Sequence, residues 1–180
     1  LILICDIMDP ITSQSYNRDP RSVAKNAEAY LASTGIGTTA YFGSEAEFFV
    51  FDDVRFDVQM NTSFYEIDSE EGPYVSGKIF EEGNHGHRPG IKGGYFPVPP
   101  VDASHDLRGE MVAVAQEMGL SMDKHHHEVA PSQHELGMEF STLVDNADNQ
   151  QIYKYVVQMV AHTYGKSATF MPKPVAGDNG

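Results

Sequence analysis

The chain has 180 residues with 12 basic and 26 acidic side chains, a formal net charge of −14 with histidine neutral. Such a surface repels nucleic-acid phosphates and anionic membranes unless a basic patch intervenes, and no run of Lys and Arg supplies one. Ordinary Gly and Pro content excludes collagen-like and low-complexity chains, while the 41% apolar fraction supports a buried core in a single domain. The lone Cys5 forms no internal disulfide and favours a reducing compartment, the cytoplasm. No apolar stretch approaches the roughly 20 residues of a membrane helix.

The chain opens on Leu1-Ile2-Leu3-Ile4, which reads as the interior of a buried strand, and closes on the turn sequence Gly177-Asp178-Asn179-Gly180. Both ends read as interior sequence, so a fragment of a longer protein is expected. Asp19 suits a helix cap and Pro20 the first helical position. Val23, Ala27, Tyr30 and Leu31 then recur at helical spacing until Gly35 ends the run. Residues 38–51 are rich in aromatic and β-branched side chains, and residues 55–60 and 64–68 alternate; all three read as strands. Residues 69–100, rich in Gly, Pro, acids and His, read as a long functional or partly disordered loop. Helices are expected over 104–118, with Leu107, Met111, Val114 and Met118 on one face, and over 147–164, with Ile152, Tyr155, Val156, Met159 and Val160. Strands are expected over 120–129 and 133–140. Successive strands with short links and no regular βαβ rhythm predict an α+β fold with a largely antiparallel sheet packed with helices.

Glu45 and Glu47 lie two apart in an otherwise apolar strand, so their carboxylates emerge side by side. Two like charges there need water or a cation, and a solvated or charge-guarded edge strand explains them as well as a metal does. A second cluster favours the cation. In His125-His126-His127-Glu128, a strand places His126 and Glu128 on one face and His125 and His127 on the other. Pro131-Ser132 then turns the chain so that Glu135 approaches Glu128. Two divalent ions neutralise four carboxylates, and such oxygen donors suit Mg²⁺ or Mn²⁺. Consecutive histidines cannot all face one ion and no H-E-x-x-H is present, which argues against zinc. His126 is expected beside the site, supporting its ligands. Gly93-Gly94 allows close backbone approach to a ligand, and Tyr95 offers either a hydroxyl to substrate or an aromatic ring to the core. Gly177–Gly180 is either an ordinary turn or a set of donors for a carboxylate.

Cys5-Asp6-Ile7, Asp19-Pro20-Arg21-Ser22, Gly43 to Phe49, Gly86-His87-Arg88-Pro89, Lys92 to Pro100, His125 to Ala130, Gln133-His134-Glu135, Ile152 to Val156 and Ala168 to Pro174 followed by Gly177 to Gly180 run in an order that resembles the catalytic domain of bacterial type I glutamine synthetase. The resemblance implies a curved antiparallel sheet and an ATP-dependent ligase joining ammonia to glutamate through γ-glutamyl phosphate, with two Mg²⁺ or Mn²⁺ ions. It places Glu47, Glu128 and Glu135 at the ion nearer glutamate and Glu45 at the ion nearer ATP. It also places Tyr95 and Glu128 at the ammonium site, Asp123 and Phe140 at the nucleotide, and Asn179 and Gly180 at glutamate. Asp123 stands where the family usually has Glu, and Ala46 where it has Pro. Residues 1–180 are then a partial catalytic domain, lacking the amino-terminal β-grasp domain and the carboxyl-terminal half, and inactive alone. The whole protein is expected to be a cytoplasmic dodecamer serving nitrogen assimilation.

Overall fold

Ladder pairing, more than strand length, organises this chain, whose computed structural model describes residues 1–74 and 86–180. The loop expected over 69–100 lies partly outside the described residues. Helix α1 (Pro20–Thr34) begins where the Asp19 carboxylate accepts the backbone N–H groups of Arg21 and Ser22, and ends at Gly35 with φ 71°. Val23 and Tyr30 of its apolar stripe are exposed. The helix is tied down by charge instead, through Arg21 Nε donating to Asp148 at 3.0 Å.

The strand expected over 38–51 is two strands. β1 (Tyr41–Phe42) pairs with β7 (Ser141–Thr142), whereas β2 (Glu47–Phe51) enters a different sheet, so the chain between them changes ladder. β3 (Asp53–Val58) and β4 (Ser63–Asp68) form a separate hairpin. The main sheet runs β5 (Met122–His127), β6 (Gln133–Met138), β2 and β8 (Ser167–Thr169), every pair antiparallel. β7 and β8 are too short for a periodicity signal.

Helices α2 (His105–Glu117) and α3 (Leu143–Thr163) cover one face of this sheet. Phe48 and Val50 of β2 and Leu136 and Met138 of β6 bury against Leu107, Met111, Tyr153, Val156 and Val157. Burying each such side chain contributes about 1.5–3 kcal/mol. Strand alternation therefore turns Glu47, Phe49 and Phe51 to the opposite face. α3 starts ahead of the expected boundary because the buried Asn146 belongs to it, donating to Phe42 O at 3.0 Å and accepting from Ser44 Oγ at 2.8 Å. Leu1–Ile4 is not a strand: no described strand pairs with it, and Leu1 and Leu3 are exposed. Among the described residues no helix is long and apolar enough to cross a membrane.

Candidate metal centre

Register decides which side chains meet on the face away from the helices. His126 pairs with Glu135 across β5–β6, and Glu135 pairs with Glu47 across β6–β2. Partners in register share a face, so one row across three strands carries an imidazole and two carboxylates. Glu128 follows β5. Its backbone N–H donates to Gln133 O at 2.7 Å, closing the turn, and its side chain folds back to the row. Glu128 Oε1 lies 2.7 Å from His126 Nε2, and Glu135 Oε2 lies 3.5 Å from the same nitrogen. The ligand-type atoms of His126, Glu128 and Glu135 all fall within 4.8 Å of one another.

The three groups are buried. Burial raises the pKa of Glu47, and the charge of Glu128 raises it further against a hydrogen bond from Gln133. Burial also raises that of Glu135, with His126 opposing and Glu128 adding. Carboxylates with little water and little counter-charge favour a cation, and their oxygens with one imidazole nitrogen fit a divalent metal. Glu47 stands in the row but outside the tightest triad, accepting from the Gln133 amide. Glu45 is exposed just before β2. With Asp123, Lys124 and Glu135 it lines a cleft of about 120 Å³. A second cleft, about 200 Å³, brings Glu45 and Glu47 to Gly180, Phe170 and Pro172.

The remaining expected residues scatter around this row. Phe96 stacks on the His126 ring at 4.6 Å, and exposed Tyr95 meets its edge at 6.0 Å. Phe140 is exposed and packs edge-on with Tyr41 at 5.4 Å, outside both clefts. Asn179 turns onto Asp178, its N–H donating at 2.9 Å to that carboxylate, which also accepts from the Lys92 N–H. The close approach at Gly94 is to the chain itself, not to a ligand. Gly94 N–H donates to Val129 O at 2.9 Å, and a Cβ there would sit 2.8 Å from both Glu128 O and His127 Cε1. Residues 94–96 thus lie along the segment that carries Glu128.

Behind the row is a buried polar layer that the sequence reading missed. His127 Nε2 lies 2.7 Å from Glu71 Oε2 and its Nδ1 2.6 Å from Glu128 O. Both partners are acceptors; burial opposes the charge of the ring, and the bond to Glu71 outweighs it, raising the pKa. Glu71 also accepts Ser132 N–H at 2.8 Å, tying both ends of the turn together. Arg108 pairs with Asp102 and reaches His134 Nδ1 at 3.1 Å, while burial holds the His134 pKa well below its ordinary value. Glu71 lies 56 residues from His127 in a loop, and no local pattern joins them.

Fold and site define an α+β domain with a carboxylate-lined candidate cation site on the face of an antiparallel sheet turned away from its helices. The family described as "Glutamine synthetase, catalytic domain" matches residues 17–180, and the chain belongs to it. The glutamine synthetase of Azospirillum brasilense is 66% identical over the whole chain, which spans 38% of that protein's length. A protein of Cupriavidus pinatubonensis named 3-hydroxylaminophenol mutase is 58% identical, again over the whole chain and 38% of its own length. In structure, the chain is similar to Plasmodium falciparum glutamine synthetase, with a TM-score of 0.87 and 27% identity over 96% of this chain and 34% of that one.

Proposed function

We propose that the protein carrying this domain is an ATP-dependent ligase that joins ammonia to L-glutamate through γ-glutamyl phosphate, in nitrogen assimilation. The observation that carries the reading is the row His126–Glu135–Glu47 with Glu128 folded onto it, in a chain of the glutamine synthetase family. Glu47, Glu128 and Glu135 hold one divalent ion, Mg²⁺ or Mn²⁺, and Glu45 contributes to a second. When bound, these ions neutralise phosphate charge during phosphoryl transfer. Glu128 and Tyr95 attract ammonium and Glu128 accepts its proton, as an anion beside an aromatic face would. Asp123 and Phe140 contact the nucleotide; Asn179 and Gly180 bind glutamate. The whole protein acts as a cytoplasmic dodecamer, and residues 1–180 alone are inactive because the chain spans 38% of the relatives' length.

The mutase relative is as similar to this chain as the 58% identical glutamine synthetase of Rhizobium meliloti, so identity here does not separate the two chemistries. The deciding experiment is γ-glutamyl hydroxamate formation from glutamate, ATP and hydroxylamine by the full-length protein, with ammonia and polyamines as competitors. Metal-dependent product, suppressed by ammonia and lost in Glu47→Gln, supports the ligase. A folded full-length oligomer that makes no hydroxamate refutes it.

A further inference from the structure

We propose that Glu71 is a positioning residue for Glu128, setting from behind the turn where that carboxylate stands as it receives ammonium and takes its proton. The role rests on the ligase reading above and extends it to a residue outside the row. Glu71 is only 3% exposed, three residues beyond β4. Burying an acid is costly unless its oxygens are well satisfied, and here they are satisfied by the turn that carries Glu128. Its Oε2 lies 2.7 Å from His127 Nε2 and accepts the Ser132 N–H at 2.8 Å. One oxygen therefore holds the residue before Glu128 and the far end of the turn together.

The turn needs such a clamp. Ser132 has φ 67°, the left-handed region that a residue with a side chain keeps only where its neighbours over-determine it. Its hydroxyl donates to Ser69 Oγ and its carbonyl accepts the Val50 N–H at 2.9 Å, so the loop before Glu71 and strand β2 grip it as well. Glu71 is anchored in turn. The Glu70 N–H donates to Asp52 Oδ2 at 2.6 Å, and Lys166 Nζ bridges Asp52 and Glu70 at 2.5 and 3.3 Å. These bonds fix the loop after β4 to the end of β2 and the start of β8. Support thus passes from the sheet through Asp52 and Glu70 to Glu71, and from Glu71 to His127 and Ser132 on either side of Glu128. Removing the Glu71 carboxylate leaves the buried Ser132 N–H without its acceptor and releases the strained turn. Glu128 moves with it, because its Oε2 accepts from Val129 N–H inside the same turn.

The test is steady-state kinetics of the full-length protein and its Glu71→Ala and Glu71→Gln variants, with ammonium and with hydroxylamine as the amine. Hydrogen exchange of the peptide spanning residues 127–134, read by mass spectrometry, accompanies it. Glu71→Ala should lower kcat roughly tenfold or more and raise KM for both amines, with KM for ATP within about twofold of wild type. Glu71→Gln, whose amide oxygen still accepts the Ser132 N–H, should recover part of that loss. Exchange in 127–134 should quicken in Glu71→Ala and less in Glu71→Gln. Wild-type kinetics in a folded Glu71→Ala overturns the proposal, as does a KM for ATP that rises in step with that for ammonium, the mark of a merely structural role. Should Glu71→Ala not fold, Glu71→Gln decides alone, and an unchanged amine KM with unchanged exchange overturns the role. A wild type that makes neither glutamine nor hydroxamate removes the ligase reading itself, whereas an active wild type with unaffected variants removes only the role of Glu71.

Discussion

Glu47 and Glu135 stand directly opposite one another on adjacent antiparallel strands, with no basic side chain between them in the register. Like charges in that position are destabilising. The pair is therefore a cost to the metal-free fold that a bound cation relieves.

Replacing Glu135 by Gln removes one charge without changing volume. The metal-free, full-length variant should be more stable than wild type by about 1 kcal/mol, read from urea denaturation in chelator, while Mn²⁺ binding weakens. A variant less stable than wild type in chelator would show that the opposed charges carry no such cost.

The pH dependence has a worked sign. Glu47 and Glu135 have folded-state pKa values above the ordinary 4.5, burial being the first cause in each. Their protonation favours the folded state, so the metal-free protein should gain stability from these groups as pH falls through their folded pKa, the gain being complete below 4.5. Asp102 behaves oppositely. Burial opposes its charge, but the hydrogen bond and charge of Arg108 win and lower its pKa; its contribution is present above 3.8 and is lost as pH falls through the lower folded value. Thermal unfolding of wild type against Glu135→Gln and Asp102→Asn across the acid range separates the two windows. The stabilisation by Mn²⁺ should shrink through the first, because protons and metal compete for the same oxygens.

Arg108 and Asp102 are both buried, at 1% and 4% exposure. Asp102→Ala strands the guanidinium and should cost about 3–5 kcal/mol, whereas the double change Arg108→Met with Asp102→Leu should cost much less. Guanidinium denaturation of the two variants gives the comparison, and equal losses would contradict the pairing account.

Gly94→Ala forces a Cβ against Glu128 O and His127 Cε1, whereas a Cβ at Gly90 meets nothing within 4 Å. Gly94→Ala should therefore lose about 1–3 kcal/mol of stability and weaken Mn²⁺ binding by displacing Glu128, with Gly90→Ala close to wild type. Indistinguishable variants would show that residues 94–96 do not hold the Glu128 segment.

What the sequence made legible follows from local chemistry. Asp19-Pro20 and Gly35 fixed α1 to the residue, because caps and φ preferences act over a few positions. The two-residue spacing of alternate side chains separated His126 from His127. The β5–β6 hairpin was legible from the turn at Pro131-Ser132, but the long-range ladders were not: only the family resemblance groups Glu47 with Glu135, and nothing near residue 45 announces the ladder change between β1 and β2. Leu1–Ile4 shows the converse failure, an apolar run that reads as a strand but has no described strand beside it. The buried supports at Glu71, Arg108 and Asn146 were invisible for the same reason, since their partners lie far along the chain.

The central claim is that the row on the sheet face turned away from the helices binds a divalent cation. Calorimetric titration of the full-length protein with Mn²⁺, wild type beside Glu128→Gln, tests it most directly. The account predicts that the folded variant binds one ion fewer per subunit or binds it far more weakly. Undiminished stoichiometry and affinity in Glu128→Gln would contradict it.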